Sequence, residues 1–176
     1  MLKLRLLPKT TTISSMHDIL RKSADEVTIV RASLQDLDDA RTLLGEYYEL
    51  VGVVQRDTPA GLRNLLADEA GGFWIAHVGE TPAACVVLRP LPSIPGAAEC
   101  KRLYVRTEFR GRGLAKALMG TLEAFAAQLG LAWVYLDSKD DLESALELYR
   151  RRGYEPCERY NDNPQATIFL RKATKP

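Results

Sequence analysis

The sequence is poor in the residues that build metal cages and covalent staples. Three cysteines (Cys85, Cys100, Cys157) and two histidines (His17, His77) are spread over 176 residues with no C-x-x-C pair. An odd number of widely spaced cysteines excludes a disulfide framework, and so sparse a set of soft ligands gives no zinc site, so no metal is expected. Each cysteine reads as a small apolar side chain in a reducing, cytoplasmic setting. An excess of charge is also missing: 24 Lys and Arg face 23 Asp and Glu, leaving a formal charge of +1. That balance gives no general pull toward nucleic acid or a membrane surface. Apolar runs such as Ala83 to Leu88 are far too short to cross a bilayer. What remains, 46% apolar and 27% charged residues, is the composition of a soluble chain with a core of its own.

The first residues differ from the rest. Met1 to Ser15 carries Lys3, Arg5 and Lys9, no acid and a Thr/Ser run, without the apolar segment or small-residue cleavage site of a secretory leader. Residues 1–26 are expected to form an arm or extension, or to reflect a start at Met16, and residues 27–176 to form one domain.

Periodicity then organises the chain. Val27–Arg31 is a strand, and Ser33 with Asp36 forms a capping box before a helix whose stripe is Leu37, Ala40, Leu44 and Tyr47. Thr58 before Pro59 opens a short helix that Gly71 and Gly72 are expected to close. Phe73–Val78 and Ala83–Leu88 form strands around the Gly79-Glu80 turn, and Ala98–Arg106 follows a Pro/Gly loop. Leu114, Leu118, Leu122, Phe125 and Leu129 mark a helix face ending before Gly130. Trp133–Asp137 is a strand, Asp140 or Asp141 caps a helix stopped by Gly153, and strands near Tyr154–Arg159 and Ala166–Arg171 flank a turn. Strands and helices that mix without strict alternation imply one α/β domain with a mixed sheet.

Chemistry concentrates in one stretch. Lys101 to Lys116 holds six basic residues against Glu108 alone, a net +5, so the remaining residues sum to −4. Gly111, Gly113 and Ala115 stand where a strand turns into a helix, so backbone N–H groups can approach a ligand with the positive helix end behind them. This is an anion site suited to phosphate. A P-loop does not fit, because Lys116 follows Ala115, and a dinucleotide fingerprint from Gly111 meets Lys116 where a small residue belongs.

Arg110-Gly111-Arg112-Gly113-Leu114-Ala115 resembles instead the Q/R-x-x-G-x-G/A motif of the GNAT superfamily of acyl-CoA-dependent N-acetyltransferases, with Leu103-Tyr104-Val105 similar to the strand that leads into it. Leu148-Tyr149-Arg150-Arg151-Arg152-Gly153-Tyr154 resembles that family's tyrosine-bearing helix and glycine-aromatic turn, and the order of elements from about residue 27 to 172 follows. The resemblance implies a central, mostly antiparallel, twisted sheet splayed between two parallel strands, with helices on both faces. It implies acetyl-CoA as cosubstrate across that splay: Leu103, Tyr104 and Val105 meeting the acetyl carbonyl and pantetheine, and the amides of Arg110, Gly111, Arg112, Gly113, Leu114 and Ala115 holding the pyrophosphate. Leu142 stands where many members carry an asparagine for the pantetheine arm, which leaves that contact open.

An amine nucleophile is mostly protonated at neutral pH and needs a base, directly or through water. By the resemblance this is Glu99, eleven residues before Arg110; the alternative is an ion pair between Glu99 and Lys101 or an arginine. Tyr149 is the expected proton donor to the leaving thiolate. Cys100 has no histidine nearby in sequence to activate it and reads as structural. Tyr47, Tyr48, Trp74, Tyr160 and Asn163 are candidate pocket residues. The expected activity is transfer of an acetyl group to a primary amine of a small molecule or peptide in a ternary complex, with a non-catalytic acyl-CoA-binding module as the alternative. Nucleic acid is disfavoured because the basic charge is confined to one loop. A homodimer is compatible with the sequence, which leaves oligomeric state open.

Overall fold

A computed structural model describes residues 25–174; most of the expected N-terminal arm lies outside them. Strand β1 (Val27–Arg31) leads through the Ser33/Asp36 capping box into α1 (Leu37–Val51), and Thr58 caps α2 (Pro59–Ala67) by accepting from the Gly61 amide. Strands β2 (Gly72–Val78), β3 (Thr81–Pro90) and β4 (Ala97–Val105) follow, then α3 (Leu114–Gln128), β5 (Trp133–Ser138), α4 (Glu143–Arg151), β6 (Glu155–Pro156) and β7 (Ile168–Ala173).

The seven strands form one sheet in the order β1-β2-β3-β4-β5-β7-β6. Every neighbouring pair is antiparallel except β4 and β5. This is a single α/β domain with a mixed sheet and helices on both faces. One face carries α3 and α4, with Leu114, Leu118, Met119, Leu122 and Tyr149 packed on Trp74, Val86 and Leu136. The other carries α1 and α2, with Leu43, Leu44, Leu62 and Leu66 on Phe73, Ile75 and Val87.

Four local expectations change. In α1 the buried stripe is Ala40, Leu43, Leu44 and Tyr48, turned about one residue from that expected, so Tyr47 is left to line a cleft. Helix α2 ends at Ala67, ahead of Gly71 and Gly72. These glycines serve close approach: a β-carbon would lie 2.5 Å from the Leu88 carbonyl at Gly71 and 2.6 Å from the Trp74 ring at Gly72. Helix α4 is capped by Leu142 with no side-chain bond, not by Asp140 or Asp141. Strand β6 is only two residues long and lies at the sheet edge, where Pro156 is tolerated; one further bond, from the Cys157 N–H to the Phe169 carbonyl at 3.0 Å, follows before the chain leaves β7.

Two features open the sheet. Parallel pairing of β4 with β5 runs from Ala97/Trp133 to Cys100/Leu136 and stops, so beyond Cys100 the strands part. Against β3, Cys85 faces Tyr104 while Val87 faces Lys101; Arg102 and Leu103 therefore share the space opposite Val86, a bulge. Arg102 takes φ 58°, the one positive φ among described residues other than glycine.

Candidate active site

The parted strands floor a cleft of ≈ 1200 Å³ that runs from the loop after β4 to the segment joining α1 and α2. At one end it is built from backbone. Gly111 and Gly113 have φ 77° and 80°, conformations that cost a residue with a β-carbon about 1–2 kcal/mol. The amides of Gly111, Arg112 and Gly113 donate to no group among the described residues, and the first turn of α3 adds the free donors of a helix N-terminus. Arg110, Gly111, Gly113, Leu114 and Ala115 all line the cleft. Arg112 does not: its guanidinium pairs with Asp25 at 3.3 Å and lies over the Phe109 ring. Leu103, Tyr104 and Val105 line the cleft where β4 leaves β5, and the Tyr104 hydroxyl donates to Glu46 at 3.2 Å. Leu142 also lines the cleft and brings no hydrogen-bonding group.

Tyr149, from α4, and Glu99, from β4, line the same cleft. Burial pushes the Tyr149 phenol well above its ordinary pKa, with the potentials of Cys100, Tyr47 and Asp137 adding to the effect. Its hydroxyl makes no hydrogen bond among the described residues, while its ring packs edge-on against Tyr154 with centroids 5.8 Å apart. The helix that bears it is fastened by a half-buried cluster. Arg152 (2.8 Å) and Lys172 (2.6 Å) both pair with Glu123 of α3, tying the end of α4 to α3 and β7. Burial alone would raise the Glu123 carboxyl, but the Arg152 and Lys172 bonds and charges outweigh it and hold it below its usual value.

Glu99 is 7% exposed and sits in a polar network. Its Oε1 accepts from the Tyr160 hydroxyl (2.9 Å) and the Asn161 Nδ2 (2.8 Å) and lies 3.0 Å from Lys101 Nζ. The expected ion pair with Lys101 and the place in the cleft are thus both present. Asp137 shares these partners: its Oδ2 is 2.7 Å from Asn161 Nδ2, 3.1 Å from Asn163 Nδ2 and 3.5 Å from Lys101 Nζ.

Opposite this network, the segment after α1 roofs the cleft. Asp57 accepts from the Tyr48 hydroxyl (2.5 Å), from Arg102 Nε (3.1 Å) and from Arg89. Burial would raise the Asp57 carboxyl, but Tyr48 and the two arginines hold it below its usual value, while burial pushes the Tyr48 phenol up to about 12. Arg102 also donates to the Gln55 carbonyl at 3.2 Å and stacks near the Tyr47 and Tyr48 rings. From the far bank, Lys139 donates to the Val51 carbonyl and Gln165 bonds both Gly52 and Val54.

Of the other pocket candidates, Tyr47 and Asn163 line the cleft. Tyr48 and Tyr160 support it from behind, and Trp74 lies in the core against Phe125. Cys100 is buried, its thiol pushed up by desolvation and 3.6 Å from the Met119 sulfur, as befits a structural residue. Asp57, Arg89, Arg102, Asp137, Asn161 and Gln165 were not legible as site residues, since they come from five separate segments. The residual signal was charge within apolar strands, at Arg89, Arg102 and Asp137.

Residues 37–154, spanning α1 through the turn after α4, match the acetyltransferase (GNAT) family. The chain belongs to that family. It is 32% identical over 145 residues to an uncharacterised N-acetyltransferase of Schizosaccharomyces pombe, covering 74% of this chain and 83% of that one. N-acetyltransferase 8B of Rattus norvegicus is 31% identical over 101 residues, 56% of this chain, and the match spans about half (46%) of that protein's length. The fold of this GNAT chain is also that of the paia N-acetyltransferase from Thermoplasma acidophilum, solved with coenzyme A, at a TM-score of 0.69 and 16% identity over 84% of this chain and 99% of that one. Among the described residues no helix is long and apolar enough to cross a membrane, and no group of His, Cys, Asp and Glu is placed to hold a metal.

Proposed function

We propose that the protein transfers an acetyl group from acetyl-CoA to a primary amine by direct attack in a ternary complex, in a cytoplasmic setting. The observation that carries this reading is the meeting of three things in one cleft: free amides around Gly111 and Gly113, the exposed edge of β4 at Leu103 to Val105, and two side chains suited to proton transfer, Glu99 and Tyr149. When bound, acetyl-CoA supplies an activated acyl group as a thioester. The loop amides and the N-terminus of α3 receive its pyrophosphate, with the helix dipole favouring negative charge there.

The remaining steps belong to the chain's own groups. The β4 edge beyond Cys100 is unpaired with β5, so an N–H at Leu103 is available to stabilise negative charge developing on the acyl oxygen. Glu99 takes the proton of the incoming amine, directly or through water; all three of its partners meet Oε1, which leaves Oε2 for this task. Tyr149 gives its proton to the departing sulfur. A phenol kept protonated by burial is a donor throughout the neutral range. A non-catalytic acyl-CoA-binding module would use the glycine loop alone and has no need of Glu99 and Tyr149 in the same cleft.

The test measures thermal stabilisation by acetyl-CoA together with release of free CoA across a panel of amines. A raised midpoint and amine-dependent release are expected. Stabilisation without release from any amine would select the binding-module reading, and no stabilisation would remove both.

A further inference from the structure

The acceptor half of the cleft carries two charge imbalances of opposite sign. At the roof, two guanidinium groups, Arg89 and Arg102, share one carboxylate, Asp57, for a local charge of +1. On the floor, two carboxylates, Glu99 and Asp137, share one ammonium, Lys101, for a local charge of −1. The side chains are 32% exposed at Arg89 and 14% at Arg102, against 9% at Glu99 and 11% at Asp137. In so little water an unmatched charge is costly and is best met by a ligand charge of the opposite sign.

The two imbalances are neighbours. Arg89 and Glu99 are direct cross-strand partners on β3 and β4, so their side chains rise from the same face of the sheet, with β-carbons about 5 Å apart. Arg89 gives Asp57 one terminal nitrogen; its other guanidinium nitrogens have no hydrogen-bond partner among the described residues. Arg102 is held rigid by Asp57, Gln55 and the Tyr47 and Tyr48 rings, which fixes the cation before any ligand arrives. Neither arginine is free for the pyrophosphate: Arg89, beside Glu99, stands about 20 Å of extended strand from the end of β4, and Arg102 is turned to Asp57 and Gln55.

Resting on the acetyl-transfer reading, we propose that the acceptor is a free amino acid with an unblocked carboxylate. The carboxylate lies against Arg89 and the Arg102 edge, and the ammonium lies against Glu99 and Asp137, where Glu99 can deprotonate it. A ligand of this kind cancels both imbalances at once. A simple alkylamine answers only the floor, and a polyamine sets further positive charge against the arginines.

The experiment uses matched trios on the full chain: phenylalanine, phenylalaninamide and phenethylamine, with the leucine, leucinamide and isoamylamine series beside them and spermidine as the polycation. Free CoA release is followed with acetyl-CoA, and binding to the protein–CoA complex is followed by calorimetry. The acids are expected to exceed their amides and decarboxylated amines by about a hundredfold in kcat/KM, the scale set by losing a charged hydrogen-bond partner in a site built for it. Arg89→Gln should shrink that ratio to within a few-fold, and Arg89→Lys should restore part of it, with stabilisation by acetyl-CoA unchanged in both. Turnover of the amides or amines as fast as the acids overturns the inference while leaving acetyl transfer intact. If no compound releases CoA, calorimetry decides alone: preferential binding of the acids keeps the carboxylate site and removes the transfer reaction, and equal or absent binding of the acids overturns the site.

Discussion

The two ends of the cleft are made of different materials. The end proposed for phosphate is backbone: glycines at φ 77° and 80°, free amides and the first turn of α3. The end proposed for the acceptor is side chain: Asp57, Arg89, Glu99, Lys101, Arg102, Asp137 and Asn161, drawn by hydrogen bonds from five segments. A backbone site is local in sequence and tolerant of its neighbours' identities. A side-chain site is distributed, and each member depends on the others.

The largest expected break in this comparison is chemical. Glu99→Gln should lower turnover by a hundredfold to ten-thousandfold, the range of general-base contributions. Acetyl-CoA affinity should stay the same, because on this proposal the other end of the cleft supplies it. Tyr149→Phe should slow turnover without weakening acetyl-CoA binding, since its phenol stays protonated far above neutrality and is needed only by the departing sulfur. Near-normal turnover by Glu99→Gln, with an acceptor in hand, would falsify its role as base.

Next in size is the ion cluster behind Tyr149. Glu123→Gln leaves Arg152 and Lys172 facing a neutral amide and should cost about 2–3 kcal/mol at pH 7, somewhat under the range for a fully buried pair. Glu123 and Asp57 both have carboxyls lowered in the folded state from ordinary values of 4.5 and 3.8. Their contribution is complete above the unfolded values and disappears as pH falls through the folded ones. Urea midpoints should therefore decline below about pH 4.5, and less steeply in Glu123→Gln. Parallel slopes for the two proteins would show that Glu123 does not titrate with folding.

A smaller effect separates folding from binding at the phosphate end. A β-carbon at Gly113 meets no atom within 4 Å, so the only structural penalty is its φ of 80°. Gly113→Val should cost about 1–2 kcal/mol of stability, yet erase thermal stabilisation by acetyl-CoA, since the branched side chain and relaxed loop stand in the phosphate path. A folded Gly113→Val protein still stabilised normally would exclude the loop as the pyrophosphate cradle. Smallest is Thr58→Ala, which removes the α2 cap beside Asp57 and should cost about 1 kcal/mol. It should raise the acceptor KM modestly and leave acetyl-CoA binding alone.

The same contrast explains what could be read in advance. Gly111, Gly113, Gly130 and Gly153 advertise backbone conformations, and Ser33, Thr58 and Pro59 advertise helix starts, so the bend of the glycine loop and most element boundaries were legible. Gly71 and Gly72 misled because a glycine needed to admit the Leu88 carbonyl or the Trp74 ring looks in sequence like a helix stop. Glu99 and Tyr149 could be named only through the family resemblance. Of the Glu99 partners, Lys101 is two residues along the same strand and could be named, whereas Tyr160 and Asn161 come into reach only once β4 and the loop before β7 are side by side. The Asp57 cluster left no periodic or motif signal, because its contacts span up to 45 residues.

Arg102 ties these observations to inheritance. Its φ of 58° is costly because it has a side chain, and that same side chain, through Asp57, holds it there. Glycine at 102 would relieve the backbone and release the roof; another residue would leave the bend strained and unanchored, favouring a straight strand that pairs evenly opposite Val86. Replacing Asp57 alone would leave Arg89 and Arg102 without their shared carboxylate, Arg102 against the rings of Tyr47 and Tyr48. Neither position can drift by single neutral steps, so across descendants of this chain residues 57 and 102 should be kept or exchanged as a pair, even where the rest of the α1–α2 segment diverges.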